Sequence, residues 1–222
     1  MTRALPTESA LLHGAAGNIE VLIDAPQTVR GVALICHPHP LFGGANTNKV
    51  AHTLARSYRD LGYAAIRPNF RGVGKSDGEH DHGEGETEDM LSVIAWAQSR
   101  WGSLPLALGG FSFGGFVQTR IANRLANDIN PPRQLILVGM AAGVAADGAR
   151  SYDTPPVPGT IPTLIIHGEV DDTVALSNVL DWARPQELPI IVIPGADHFF
   201  HGKLHLIREL IARNVAPAPG RV

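Results

Sequence analysis

Between Leu104 and Leu125 the chain reads LPLALGGFSFGGFVQTRIANRL, an apolar run followed at once by a helical pattern, with Ser112 at the junction. Two glycines bracket that serine in Gly110-Phe111-Ser112-Phe113-Gly114. A strand that becomes a helix across one residue holds that residue in a strained backbone conformation and thrusts its side chain out at the end of the strand. Glycines are needed on both sides because side chains there would collide. A Gly-rich turn with an ordinary capping serine is the plainer alternative, but the strand-then-helix order favours an exposed nucleophile. A helix leaving the C-terminal end of a strand also points to parallel strands joined by crossover helices.

The rest of the chain keeps that rhythm. Ser9–Gly14 and Asn18–Asp24 read as strands joined by the turn Ala15-Ala16-Gly17, and GVALIC (31–36) as a wholly apolar central strand. Val50, Leu54, Tyr58 and Leu61 predict a helix over Asn46–Leu61, and YAAIRPNF (63–70) is the next strand. Met90, Ile94, Ala97 and Trp101 predict another helix, with Glu88 and Asp89 in its first turn and Gly102 at its end. After the Ser112 helix, expected over Phe113–Asn127, QLILVGMA, PTLIIHG and LPIIVI read as strands, and Leu176–Arg184 and Leu204–Asn214 as helices. The expectation is about eight strands and five or six helices in one domain spanning 1–222, its tail frayed from about residue 215. No internal repeat or low-complexity linker interrupts it.

Charge removes several partners. With 18 basic and 21 acidic residues the formal net charge is −3, which offers no footprint for nucleic acid or an anionic membrane. One cysteine, Cys36, excludes an internal disulfide, and the N-terminus lacks the apolar core of a signal peptide. No apolar run reaches membrane-spanning length, so a cytoplasmic protein is expected. Cys36 reads as a small core residue.

A serine hydroxyl needs a base, and the base an acid to orient it. LIIHGEVDDTV leaves its strand near Gly168 and presents Asp171 and Asp172; IIVIPGADHFF leaves the last strand near Pro194 and presents His198. In proteins with a serine at such a strand-to-helix turn the acid and then the histidine follow the serine, each on a loop after a later strand, and both are present here in that order. Asp171 occupies the acid position of an H-G-x-x-D loop, whereas Asp172 reads as a solvated charge or helix cap. His201 is the near rival of His198, and His205 belongs to the final helix. Negative charge on a tetrahedral intermediate requires waiting N–H donors. One is Phe113, at the helix N-terminus; the second comes from HPHPLFGG (37–44), where Pro38 and Pro40 have no N–H, leaving His39 first and Leu41 second. His37-x-His39 and His80-x-His82 lack a third ligand at a recognisable spacing, so neither metal nor cofactor is expected.

Asn69–Gly78, NFRGVGKSDG, contains GVGKS but carries Asn69 where a phosphate loop needs its first glycine, and an acidic turn-rich stretch follows in place of a helix. Together with CHPHPLFGG, GFSFGG, HGEVDD and GADHFF, this loop makes the sequence resemble the small bacterial α/β-hydrolases marked by C-H-P-H-P-L-x-G-G, relatives of dienelactone hydrolases and small esterases. The resemblance covers nearly the whole chain. It implies the α/β-hydrolase fold, a mostly parallel eight-stranded sheet flanked by helices; Ser112, Asp171 and His198 as nucleophile, acid and base; and a structural role for Arg71–Ser76, the R-G-x-G-x-S turn. It implies no particular substrate. The connection from Ala142 to Ile161 is too short for a lid domain, which predicts a shallow site with Phe42, Phe111, Phe113 and Phe199 as apolar walls and Arg71 at the rim. The expected activity is hydrolysis of a small or accessible ester or thioester through an acyl-enzyme on Ser112, rising with pH as a histidine of reference pKa about 6.5 loses its proton. Acyl transfer, peptide cleavage and a non-catalytic interaction module are the alternatives.

Overall fold

A computed structural model describes residues 6–215; the tail expected to fray, 216–222, lies outside the described residues. The first two strands, β1 (Glu8–Gly14) and β2 (Gly17–Asp24), form an antiparallel hairpin, and β3 (Gly31–Cys36) follows. Helix α1 (Lys49–Asp60) starts later than its apolar spacing suggests, because Asn48 Oδ1 accepts the N–H groups of Val50 and Ala51 at 2.9 and 3.3 Å. After β4 (Tyr63–Pro68), helix α2 (Glu84–Trp101) starts a turn earlier than Glu88 and Asp89 predict. The buried Glu86 carboxylate makes that extra turn possible by accepting the N–H groups of Gly83 and Asp81 at 2.8 and 3.0 Å.

The chain continues through β5 (Leu106–Phe111), α3 (Phe113–Leu125) and β6 (Gln134–Val138). A small hairpin, β7 (Gly143–Val144) with β8 (Ser151–Tyr152), then precedes β9 (Thr163–Gly168), α4 (Leu176–Ala183), β10 (Ile190–Ile193) and α5 (Leu204–Asn214). Eight strands make one sheet in the order β1-β2-β4-β3-β5-β6-β9-β10, parallel from β4 to β10. The hairpin β7–β8 has no counterpart in the sequence reading, since two-residue strands carry no periodicity.

Helices cover both faces of the sheet. All six residues of β3 are buried, and they alternate between two apolar clusters: Val32, Leu34 and Cys36 face Met90, Val117 and Ile121, while Ala33 and Ile35 face Leu54, Tyr58 and Ile207. A strand covered on both sides must be apolar throughout, which is why GVALIC shows no polar alternation. Because β3, β5, β6, β9 and β10 run in one direction, the loops after their C-terminal ends gather along one edge of the sheet.

Candidate active site

Ser112 is the single residue between β5 and α3, with φ 55° and ψ −121°, a conformation rarely taken by residues with a side chain. Its N–H donates to Val138 O at 3.0 Å, and its carbonyl accepts from Ala141 and Gly115 at 3.1 and 2.8 Å, which pins the turn to β6 and α3. The flanking glycines are required by contact: a Cβ on Gly110 would overlap the Gly114 carbonyl, and one on Gly114 would overlap the carbonyls of Cys36 and His37. Gln118 in α3 closes the same junction, donating to Leu34 O and Gly109 O at 2.8 and 3.0 Å.

His198 Nε2 lies 3.0 Å from Ser112 Oγ, and His198 Nδ1 lies 2.7 Å from Asp171 Oδ2. A carboxylate only accepts, so Nδ1 carries the proton and Nε2 faces the serine hydroxyl as an acceptor. The other oxygen of Asp171 accepts the N–H groups of Thr173 and Val174 at 3.0 and 2.8 Å, which fixes the carboxylate plane. The Asp171 side chain is fully buried. Beneath it the buried His167 donates from Nε2 to Val174 O at 3.0 Å, with Asp171 Oδ2 3.5 Å away. Burial lowers the pKa of His167, against the attraction of Asp171. Asp172 is exposed and within 3.3 Å of Thr173 Oγ1, His201 is paired with Asp197 at 2.6 Å in solvent, and His205 is exposed on α5.

Most polar groups of the loop after β3 already have partners within the chain. His37 is buried, donating from Nδ1 to Pro38 O at 2.6 Å and accepting Phe70 N–H on Nε2 at 3.0 Å, and burial pushes its pKa down to about 4. Both ring nitrogens are thereby occupied. Pro40–Phe42 form one 3₁₀ turn closed by Gly43 at φ 77°. The Leu41 N–H is held by His39 Nδ1 at 3.3 Å, while the His39 N–H makes no hydrogen bond among the described residues. Phe113 N–H opens α3, where the helix offers it no acceptor.

A cavity of about 260 Å³ lies over Ser112, walled by Phe42 and Phe199 and bounded by His39, Asn48, Arg150 and Thr173. Two expected wall residues sit elsewhere. Phe111 is fully buried beneath His198, ring centroids 4.9 Å apart, and supports the imidazole from behind. Phe113 is also buried and faces a neighbouring cavity. Arg71 is not at the rim: its Nε donates to Asp89 Oδ2 at 2.8 Å, tying its loop to α2. The rest of that loop turns its amides inward. Lys75 N–H and Asn69 Nδ2 bind the Glu20 carboxylate at 3.0 and 2.8 Å, Asn69 Oδ1 accepts Asn46 N–H at 2.7 Å, and Ser76 Oγ bridges to Glu20 N and Asn69 O. A carboxylate of the chain itself occupies the Lys75 amide, and the N–H groups of Gly72, Val73 and Ser76 go to backbone carbonyls, so they are not free for a nucleotide phosphate.

Arg150, Asn48 and Thr173 were not among the sequence candidates. Arg150 stands on the β7–β8 hairpin, whose Gly- and Ala-rich sequence gives no sign that it returns to the serine. Among the described residues no three His, Cys, Asp or Glu side chains are arranged to hold a metal ion, and no helix is long and apolar enough to cross a membrane.

A serine at a strained strand-to-helix turn, a histidine bridging it to a buried aspartate, and a mostly parallel eight-stranded sheet define a serine hydrolase of the α/β-hydrolase fold. Residues 17–131, slightly more than half of the chain, match the model of the X-Pro dipeptidyl-peptidase (S15 family), and the chain belongs to that family. An uncharacterized protein of Rickettsia prowazekii is 33% identical over 181 residues, 78% of this chain and 73% of its own length. An α/β serine hydrolase homologue from Coxiella burnetii is 37% identical with a TM-score of 0.81, covering 94% of this chain and 97% of that one. An α/β serine hydrolase without a lid from Xanthomonas campestris is 32% identical with a TM-score of 0.83, covering 98% and 100%. The short connection between β6 and β9 is in keeping with the last of these: it holds only the small hairpin.

Proposed function

We propose that this protein hydrolyses small or accessible esters or thioesters through an acyl-enzyme on Ser112. The observation that carries the reading is the unbroken chain from Ser112 Oγ through His198 to Asp171, at 3.0 and 2.7 Å. Ser112 Oγ attacks the acyl carbonyl as His198 Nε2 takes its proton, and Asp171 holds the imidazole in the tautomer that can accept it. The amides of Phe113 and His39 receive the oxyanion; Leu41 is the weaker second donor because its N–H is already engaged by His39. The protonated His198 then gives its proton to the leaving alcohol or thiol as the tetrahedral intermediate collapses. Water, deprotonated by His198, attacks the acyl-enzyme and frees the acid. Since His198 must start neutral, activity is lost on acidification.

The family name favours a second reading, cleavage of peptides. A dipeptidyl-peptidase must recognise a free α-ammonium, which calls for a carboxylate in the substrate cavity. Among the described residues no carboxylate lines the cavity over Ser112, and the Asp147 carboxylate near it is taken up by Arg150, which supports the ester reading over the peptide one.

Fluorophosphonate labelling followed by peptide mass spectrometry tests the shared core of both. Stoichiometric modification of Ser112, absent in Ser112→Ala and His198→Ala, is expected; folded protein that takes no label would overturn the hydrolase reading. Comparing 4-nitrophenyl acetate with a glycyl-prolyl 4-nitroanilide then separates the two, and faster turnover of the anilide would reverse our preference.

A further inference from the structure

Beside the cavity over Ser112 lies a second one, of about 390 Å³, that shares His39, Phe42 and Arg150 with the first. Its volume is that of a small-molecule site. Its remaining wall is built mainly from rings: His80, Phe113, Phe116 and Tyr152, with His82 alongside. These rings pack on one another, some edge to face and others tilted, as His39 is against His80 and Phe113 at 48° and 45°. His39 meets Phe42 at 5.0 Å and 85°, His80 meets Phe113 at 5.3 Å and 63°, and Phe116 meets Tyr152 at 5.5 Å and 61°.

A planar cation completes the wall. Arg150 lies 4.1 Å from the centroid of Phe42 and is held there by Asp147, which accepts its Nε–H at 2.7 Å and the N–H groups of Ala149 and Arg150 at 3.0 and 3.3 Å. Paired with Asp147 and set over Phe42, the guanidinium is better placed to lie against a ring than to capture an anion. His80 is fixed too, its Nδ1 2.8 Å from Glu86 Oε1. Burial, together with the nearby His80 and Arg150, pushes the His39 pKa down to about 4, so this ring is a neutral π surface at ordinary pH.

We propose that the second cavity is an aryl subsite that holds an aromatic ring of the substrate while the ester linkage lies over Ser112. This deepens the hydrolase reading and rests on it for the reaction, but the ring binding can be measured without turnover. Linear alkyl groups gain only area in such a cavity, whereas a ring also gains edge-to-face and tilted contacts of the kind its walls already make with one another.

Binding of 3-phenylpropanamide and 3-cyclohexylpropanamide to Ser112→Ala protein, followed by NMR of the histidine imidazoles, is the direct test. The phenyl compound should bind at least about fivefold tighter, a ratio of the size expected for one or two added ring contacts, and should shift His80 and His82 resonances. Tyr152→Ala should bring the ratio towards one, with Phe42→Leu as a second variant should the first not fold. Equal affinities, or shifts that bypass His80 and His82, would overturn the subsite. Turnover then places the ring: 3-phenylpropanoate against hexanoate ethyl esters tests the acyl side, and benzyl against hexyl acetate the alcohol side. A preference for the aromatic member in one pair is expected, and none in either pair overturns the proposal. Labelling of Ser112 without ring preference removes the subsite alone; ring preference without labelling removes the hydrolase reading alone.

Discussion

His37 and His39 are both titratable residues held neutral by burial, His37 wholly so. Each has its pKa pushed down to about 4, while in the unfolded chain a histidine titrates near 6.5. Between those values the unfolded chain binds more protons, so stability rises with pH: the contribution is complete above about 6.5 and is lost as pH falls towards 4. For His37 this amounts to at most about 3 kcal/mol. The urea midpoint should therefore drop between pH 7 and pH 4.5, and the drop should shrink in His37→Gln; an unchanged drop would place the acid sensitivity elsewhere. At the proposed triad, Asp171→Asn keeps the shape but favours the wrong imidazole tautomer, and kcat on an ester should fall by about 10⁴ with the circular dichroism unaltered.

The junction of β5 and α3 stores strain at Ser112. Of the two variants that remove Oγ, Ser112→Gly relieves the positive φ and Ser112→Ala does not, so the glycine variant should be more stable by about 1 kcal/mol in denaturant titration. The reverse order would mean that the turn is not strained. Gly114→Ala drives a methyl group into the carbonyls of Cys36 and His37, backbone that cannot move without shifting β3. We expect it to cost about 3 kcal/mol and to weaken fluorophosphonate labelling, because the serine and the His39 loop would be displaced together. The Asn69–Gly78 loop is also a structural element: its amides grip Glu20 of β2, so Glu20→Ala should loosen the loop, seen as faster amide exchange at Lys75.

Across the molecule, the antiparallel entry hairpin is fastened to the parallel sheet by a buried ion pair. Arg67 of β4 reaches Asp24 of β2 at 2.7 Å and donates to Asn46 O at 2.6 Å, while Thr7 Oγ1 also donates to Asp24 at 2.7 Å. Arg67→Met would leave Asp24 buried without its cation, and unfolding should become easier by about 3–5 kcal/mol. Thermal melts of Arg67→Met, Asp24→Asn and the double variant would test the coupling; additive losses would contradict it.

What the sequence by itself determined follows from local rules. The strand-serine-helix junction and the two later loops fixed Ser112, Asp171 and His198 as a candidate set, because the order of strands in the chain already placed all three at one edge of a parallel sheet. Apolar runs and helical spacing located the elements of the central sheet to within a turn. What only the tertiary structure decided depends on packing between segments remote in sequence. Phe111 supports His198 because alternate residues of a fully covered strand go to opposite faces, and no pattern in an all-apolar run says which. Arg71 turned away from the site because Asp89, a helix turn further into α2 than expected, was there to bind it. Arg150 and Tyr152 reached the neighbourhood of Ser112 on a hairpin too short to leave a periodic signal, and with them came the ring-lined cavity. Reactive groups are written into local spacing, whereas the walls that select a substrate arise from contacts that form only when distant segments pack.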